Sequence, residues 1–307
     1  MDAINKTISV IEPVNEAIER TKTILFRPFN LEKWFIIGFC AWLAGLLEGS
    51  GGGGYGGGGG NHDGGQIPAQ AIEFCRIHIV FIIFAAIAVV TIFAAILLVL
   101  LWLSSRGKFM FLDCLAKNKG YIIEPWKIFK KQANGLLGFR ALLIAAAIIC
   151  MMPLGILTVW LIALFKSGDA GVIIAAVMFF VVILVGFIAA SFFGTVQALT
   201  FDFIVPIMYR QRIGVFAAWG KFLPMLWQNF WKIMLYLLFK VVILLCIGAI
   251  VAAIIFIGCC FCCISAILLI PYIGTVILLP LSSFYRLYSL CYLRQFGSEY
   301  DVFSAAL

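Results

Sequence analysis

Four stretches of this chain contain no Asp, Glu, Lys or Arg: residues 77–105, 141–165, 170–201 and 241–285. A hydrocarbon layer roughly 30 Å thick is crossed by about 20 residues of helix. Inside that layer every backbone polar group must be satisfied within the segment, which leaves helices as the available form for runs of this kind. The last run is too long for one crossing, and Pro271 with Gly274 marks a turn inside it. Five crossings follow. Only 12% of the residues are charged, against roughly 25% in an average soluble domain.

A sixth crossing rests on less. Residues 34–47 ("WFIIGFCAWLAGLL") are apolar but short, a length that also suits a re-entrant or interfacial segment. The basic residues favour a crossing. With six spans, one side receives 19 of the 22 Lys and Arg, leaving Arg76 and Lys166 opposite and Lys240 within a span. Loops on the cytoplasmic side are enriched in Lys and Arg, so that side is expected inside. The expected fold is an all-α polytopic membrane protein, a single domain over 1–307. Its spans are 31–47, 79–103, 139–165, 171–200, 232–257 and 266–292. An N-terminal interfacial helix (1–30), a flexible Gly-rich outer loop (49–65) and a cytoplasmic tail (293–307) complete it. The expected location is the plasma (inner) membrane, with both termini cytoplasmic. The first 30 residues carry Asp2, Glu12, Glu16 and Glu19 and no continuous apolar run, so no cleavable signal is expected.

Three segments look like elbows leading into spans. Ile4, Ile8, Ile11, Val14, Ile18 and Leu25 recur at helical spacing among charges, the pattern of an amphipathic helix lying on the interface. "EPWKIFKKQANGLLGFRALL" (124–143) sets Trp126, Phe129, Ala133, Leu136 and Leu137 on one face and Lys127, Lys130, Lys131 and Asn134 on another. "AAWGKFLPMLWQNFWKIM" (217–234) repeats the W-x-x-F through Trp219 and Phe222. The exits "LSSRGKFMFLDCL" (103–115) and "LSSFYRLYSLCYL" (281–293) also match at both ends. The reading is a parallel internal repeat of elbow plus hairpin, an arrangement found in transporters.

The elbow-and-span rhythm, "FDFIVPIMYRQRIGVFAAWGKFLPMLWQNFWKI" (201–233) and "RLYSLCYLRQFGSEYDVF" (286–303) resemble a group of six-helix prokaryotic membrane proteins. That group includes the membrane domain attached to some glycerophosphoryl diester phosphodiesterases. Those enzymes carry their chemistry in a separate soluble barrel, for which this chain has no room. The resemblance therefore implies a membrane module without the catalytic part.

The candidate sites differ in chemical promise. The run "GSGGGGYGGGGGNHDGG" (49–65) lacks the strand, helix and Lys-Ser/Thr pair of a phosphate loop and reads as a linker; His62 with Asp63 is a surface metal alternative. Cys259, Cys260, Cys262 and Cys263 could hold a soft metal, form a disulfide with Cys75 or accept a lipid. Protonated cysteine is also a small hydrophobe suited to close helix packing, and packing is the reading adopted. Asp202 and Lys240 lie within apolar runs, where an ionisable residue points to function. They could pair, with Arg140, Gln197 and Asn229 joining them, or Lys240 could snorkel while Asp202 caps a helix. Lys127, Lys130, Lys131, Arg210, Arg212 and Lys221 would face anionic headgroups, each contributing ~1 kcal/mol near such a surface. Tyr300 and Asp301, with Glu299, read as a cap rather than an acid–base set.

With no motif for catalysis, the expected function is a non-enzymatic module that organises lipids or partner proteins through its basic elbows. It needs no cofactor and binds no nucleic acid; its partner is the phospholipid bilayer, anionic lipids above all. The alternative is a small transporter or lipid-handling protein with a polar site near Asp202 and Lys240.

Overall fold

The computed structural model describes residues 8–47, 79–167, 172–260 and 270–306. Every regular element among them is helical: α1 (Glu12–Phe26), α2 (Leu31–Gly45), α3 (Ile79–Lys117), α4 (Ile123–Ile128), α5 (Lys130–Ser167) and α6 (Val172–Leu199). A π-helical turn (Thr200–Ile204) joins α6 to α7 (Val205–Gln211). Then follow α8 (Val215–Gln228), α9 (Phe230–Cys260), α10 (Pro271–Ile277), α11 (Leu279–Arg294) and two 3-10 turns in the tail.

Four helical segments are long and apolar enough to cross a membrane: Ile83–Lys117, Lys130–Leu164, Ala176–Gln211 and Phe230–Ile257. By length and composition they suit a chain located in a membrane. Six crossings were expected. However, α2 has 15 residues, about 22 Å at 1.5 Å per residue, short of the roughly 30 Å hydrocarbon core. The expected sixth span begins outside the described residues, and from Pro271 onward it is two helices meeting at Leu278.

Burial divides each long helix in two. On α3, residues 80–94 are exposed wherever their side chains are described, whereas Ser104 through Leu115 are all buried. On α9, Ile233, Tyr236, Lys240 and Ile243 are buried at intervals of three or four, one face of a helix, and beyond Ile243 no described side chain is buried. The result is one packed end, where the core lies, and apolar arms extending from it. Most side chains of the arms are exposed; α5 and α6 lie against each other, with Leu161 and Val182 forming a small cluster between them.

Small residues let α2 and α3 cross closely. A Cβ placed on Gly107 would lie 2.6 Å from the backbone of Leu43 and Ala44. Beside that crossing the Ser104 hydroxyl donates to the Ala44 carbonyl at 3.0 Å. Rings fill the remainder: Phe129 stacks between Phe109 and Tyr209 with centroids at 5.7 and 4.8 Å. Tyr236 stacks on Tyr288 and Tyr292 at 5.5 and 4.4 Å.

The α1 stripe facing the core is Ala17, Thr21, Ile24 and Leu25, while Ile11 and Ile18 are exposed. α1 is tied to α11 by Glu16 with Arg294 and by a two-way bond between Ser9 and Gln295, so its small residues pack there. Helical structure continues past residue 200 through the π turn to Gln211, and Asp202 within that turn meets Lys240.

Candidate functional site

The π turn carries Phe201 and Asp202 into the middle of the packed end. Such turns add a residue to the helix and are frequent at functional positions. Asp202 is 4% exposed and Lys240 6%, and the Lys240 ammonium donates to Asp202 Oδ1 across from α9. Lys240 stands eight residues from Lys232, about 12 Å along the helix, and is turned inward: its ammonium also lies 4.2 Å from the Tyr285 ring centroid.

Phe201 collects the neighbouring cations. Lys108 sits 3.4 Å from its ring centroid and Arg140 5.0 Å, while Arg286 donates to its carbonyl. Arg140 also donates to Ser104 and Ser105 at 3.1 and 3.2 Å. Of the proposed companions, Arg140 therefore reaches this layer. Gln197 is half-buried on α6, ahead of the π turn. Asn229 does not join: its amide donates to the Met225 carbonyl at 3.3 Å, closing the break between α8 and α9. Among the described residues, three buried oxygens of the region, Asp202 Oδ2, Tyr236 Oη and Ser283 Oγ, have no hydrogen-bond partner.

The second candidate is the elbow face. α4 and the start of α5 turn Phe129, Ala133 and Leu136 inward, leaving Lys127, Lys130 and Lys131 exposed. On α8, Ala218, Phe222 and Met225 are buried and Lys221 exposed. The α7–α8 link brings the two elbows together: Arg212, in a left-handed conformation with φ 57°, sets its guanidinium 4.3 Å from the Phe129 ring centroid. Arg210 is half-buried, and Lys221 donates to Gln211 at 2.6 Å. None of these six cations pairs with a carboxylate among the described residues.

The Gly-rich loop with His62 and Asp63, and residues Cys262 and Cys263, lie outside the described residues, as do the side chains of Cys259 and Cys260. Among the described residues no three His, Cys, Asp or Glu gather as a metal site. In the tail, burial and then Glu299 push the Tyr300 phenol above its ordinary value. Asp301 accepts from the Phe303 amide at 2.9 Å, so it closes a turn.

Sequence reasoning passed over Lys108, Arg286 and Arg106, which were counted only as markers of orientation. Arg106 lies one helical turn after Trp102, and that i, i+4 spacing puts both on one face. Its guanidinium stands 4.7 Å from the centroids of both Trp102 and Trp126.

Residues 8–273 match the model of a family described as of unknown function, DUF7544. No curated protein and no solved structure matches the chain.

Proposed function

We propose, from the premise that the chain belongs to the DUF7544 family of unknown function, that it is a membrane module whose basic elbows organise anionic lipids at the cytoplasmic surface of the plasma membrane. It catalyses no reaction in this reading. The observation that carries it is the elbow face: six cations on adjoining elements, five exposed, without carboxylate partners among the described residues, over neighbours that are buried. Cations so placed beside an anionic leaflet contribute about 1 kcal/mol each. The orientation follows from the bias of Lys and Arg toward this end. The helix–break–helix form of the three elbows, broken at Arg27–Asn30, Phe129 and Asn229, supports a parallel repeat. The resemblance to phosphodiesterase membrane domains fits a module of this kind with the enzyme absent.

The test is reconstitution in nanodiscs of mixed phosphatidylcholine and phosphatidylglycerol, with mass spectrometry of the lipids retained on extraction. The wild type is expected to enrich phosphatidylglycerol over the bulk ratio. A variant with Lys131, Arg210, Arg212 and Lys221 changed to Gln is expected to return toward that ratio. Equal enrichment in both proteins, or none in the wild type, refutes the reading.

A transporter or lipid-handling role is the second reading, supported by the three buried oxygens near Asp202 and Lys240 that have no partner among the described residues. Against it, the pair is sealed by fully buried Tyr236 and Phe203, as befits a structural lock.

A further inference from the structure

Where α3 passes the elbow formed by α4 and α5, Trp102, Arg106, Trp126, Lys127, Lys130 and Asn134 line an open cleft of about 550 Å³. The two indoles meet edge to face at 5.6 Å, with the Arg106 guanidinium beside both. Arg106 is 6% exposed, and its Nε is buried without an acceptor. It makes no hydrogen bond or ion pair with any described residue. A buried guanidinium normally has such partners, because desolvating a charge is costly unless it is paired and hydrogen-bonded. Here the aromatic faces supply part of the compensation, and the hydrogen-bonding positions face a cleft rimmed by two more cations.

We infer that this cleft is a phosphate site that takes the phosphodiester headgroup of an anionic glycerophospholipid, with Arg106 as its central donor. The inference rests on the elbow reading above and names a ligand for one part of that face. The planar fork of arginine matches two phosphate oxygens at once. Lys127 and Lys130 add charge at the rim, and the Asn134 amide adds a neutral donor. Depth selects a lipid over a free ion. The cleft lies where the exposed arm of α3 gives way to buried chain: Leu98 and Val99 are exposed, Leu101 is buried, and Trp102 follows. Tryptophan concentrates at that level of a membrane. A phosphate held by Arg106 would leave its acyl chains along residues 80–99.

The experiment uses the full chain, extracted from nanodiscs containing phosphatidylglycerol and phosphatidylcholine and examined by native mass spectrometry. The wild type is expected to keep one phosphatidylglycerol as delipidation proceeds. Arg106→Gln is expected to hold it about tenfold to a hundredfold more weakly, the effect of losing charge-assisted hydrogen bonds. Arg106→Lys keeps the charge but loses the fork, and is expected to fall between the two. It supplies the same test if the glutamine variant does not fold. Unchanged retention in Arg106→Lys and in any folded Arg106→Gln protein overturns the inference, as does equal retention of phosphatidylcholine by the wild type. Inorganic phosphate that displaces the lipid and stabilises delipidated wild type, but not Arg106→Gln, would make the ligand a free phosphate and overturn the lipid assignment. Loss on changing Lys131, Arg210, Arg212 and Lys221, with no loss on changing Arg106, sinks this site and leaves the elbow reading standing. No retained phosphatidylglycerol and no enrichment in the wild type sinks both.

Discussion

Removing one partner of the Asp202–Lys240 pair should cost far more than removing both. Each side chain is at least 93% buried, so a single neutralisation strands a charge where water cannot reach it. Breaking a buried pair in this way costs about 3–5 kcal/mol, whereas replacing both members is often close to neutral. Lys240 cannot escape by snorkelling, since Lys232 is about 12 Å away along the helix and a lysine stem reaches roughly half that. The two single variants should also differ. Asp202→Asn removes the carboxylate next in sequence to Phe201, around which Lys108, Arg140 and Arg286 gather. Lys240→Met removes one cation among several. Asp202→Asn is therefore expected to be the more damaging, with the double variant less destabilised than either single. The assay is a double-mutant cycle by thermal unfolding in one detergent, read with lipid retention and any uptake activity. Single variants within about 1 kcal/mol of wild type would refute the lock, as would additive losses, because a true pair couples. Loss of an uptake activity in a stably folded Asp202→Asn protein would favour the transporter reading instead.

Two further expectations concern packing. Gly107→Ala should destabilise by about 1–3 kcal/mol, as overpacking does, because the new methyl meets the backbone of Leu43 and Ala44 at 2.6 Å; Gly138→Ala, with nothing within 4 Å, should be neutral or gain up to about 1 kcal/mol of helix propensity. A thermal midpoint that Gly107→Ala leaves unchanged or raises would show that the crossing is looser than described. Glu16→Gln breaks contacts to Arg20 and Arg294, both at 2.8 Å. Because the groups are about a third exposed, the loss should stay below about 1 kcal/mol and shrink with added salt, as a salt titration of the melting midpoint would reveal.

The apolar runs were legible because lipid imposes a crude rule: a stretch must be long and uncharged. Helix limits were not, because a charge ends a span only if nothing inside satisfies it. For Asp202 the sequence left two options open, a helix cap or a pair with Lys240, and only the packing of α9 against the π turn decides for the pair across 38 positions of sequence. The elbows were visible as alternating aromatic and basic residues, but their breaks at Phe129 and Asn229 depend on local hydrogen bonds to Pro125 and Met225. On α1 the core admits Ala17 and Thr21 at close approach and leaves Ile11 and Ile18 outside; which side of an amphipathic helix meets protein depends on its neighbours, and these are not legible in its own sequence. Arg106 was hidden for another reason. In a membrane chain a basic residue near a span end already has an explanation, and only Trp102 at i+4 spacing hinted at a second.

The division of each long helix into a packed half and an arm implies two rates of sequence change within one element. In the arms, a leucine exchanged for isoleucine, valine or phenylalanine meets fluid lipid, so drift is limited mainly by hydropathy and length. Around Gly107, Ser104, Asp202 and Tyr236, shape and charge must fit fixed neighbours, and acceptable replacements are few. A comparison of distant relatives should therefore register on short, interrupted blocks at one end of each helix. Matching by hydrophobicity alone would slide those blocks out of phase, aligning the lipid-facing turns while misplacing the residues that distinguish this protein from any other bundle.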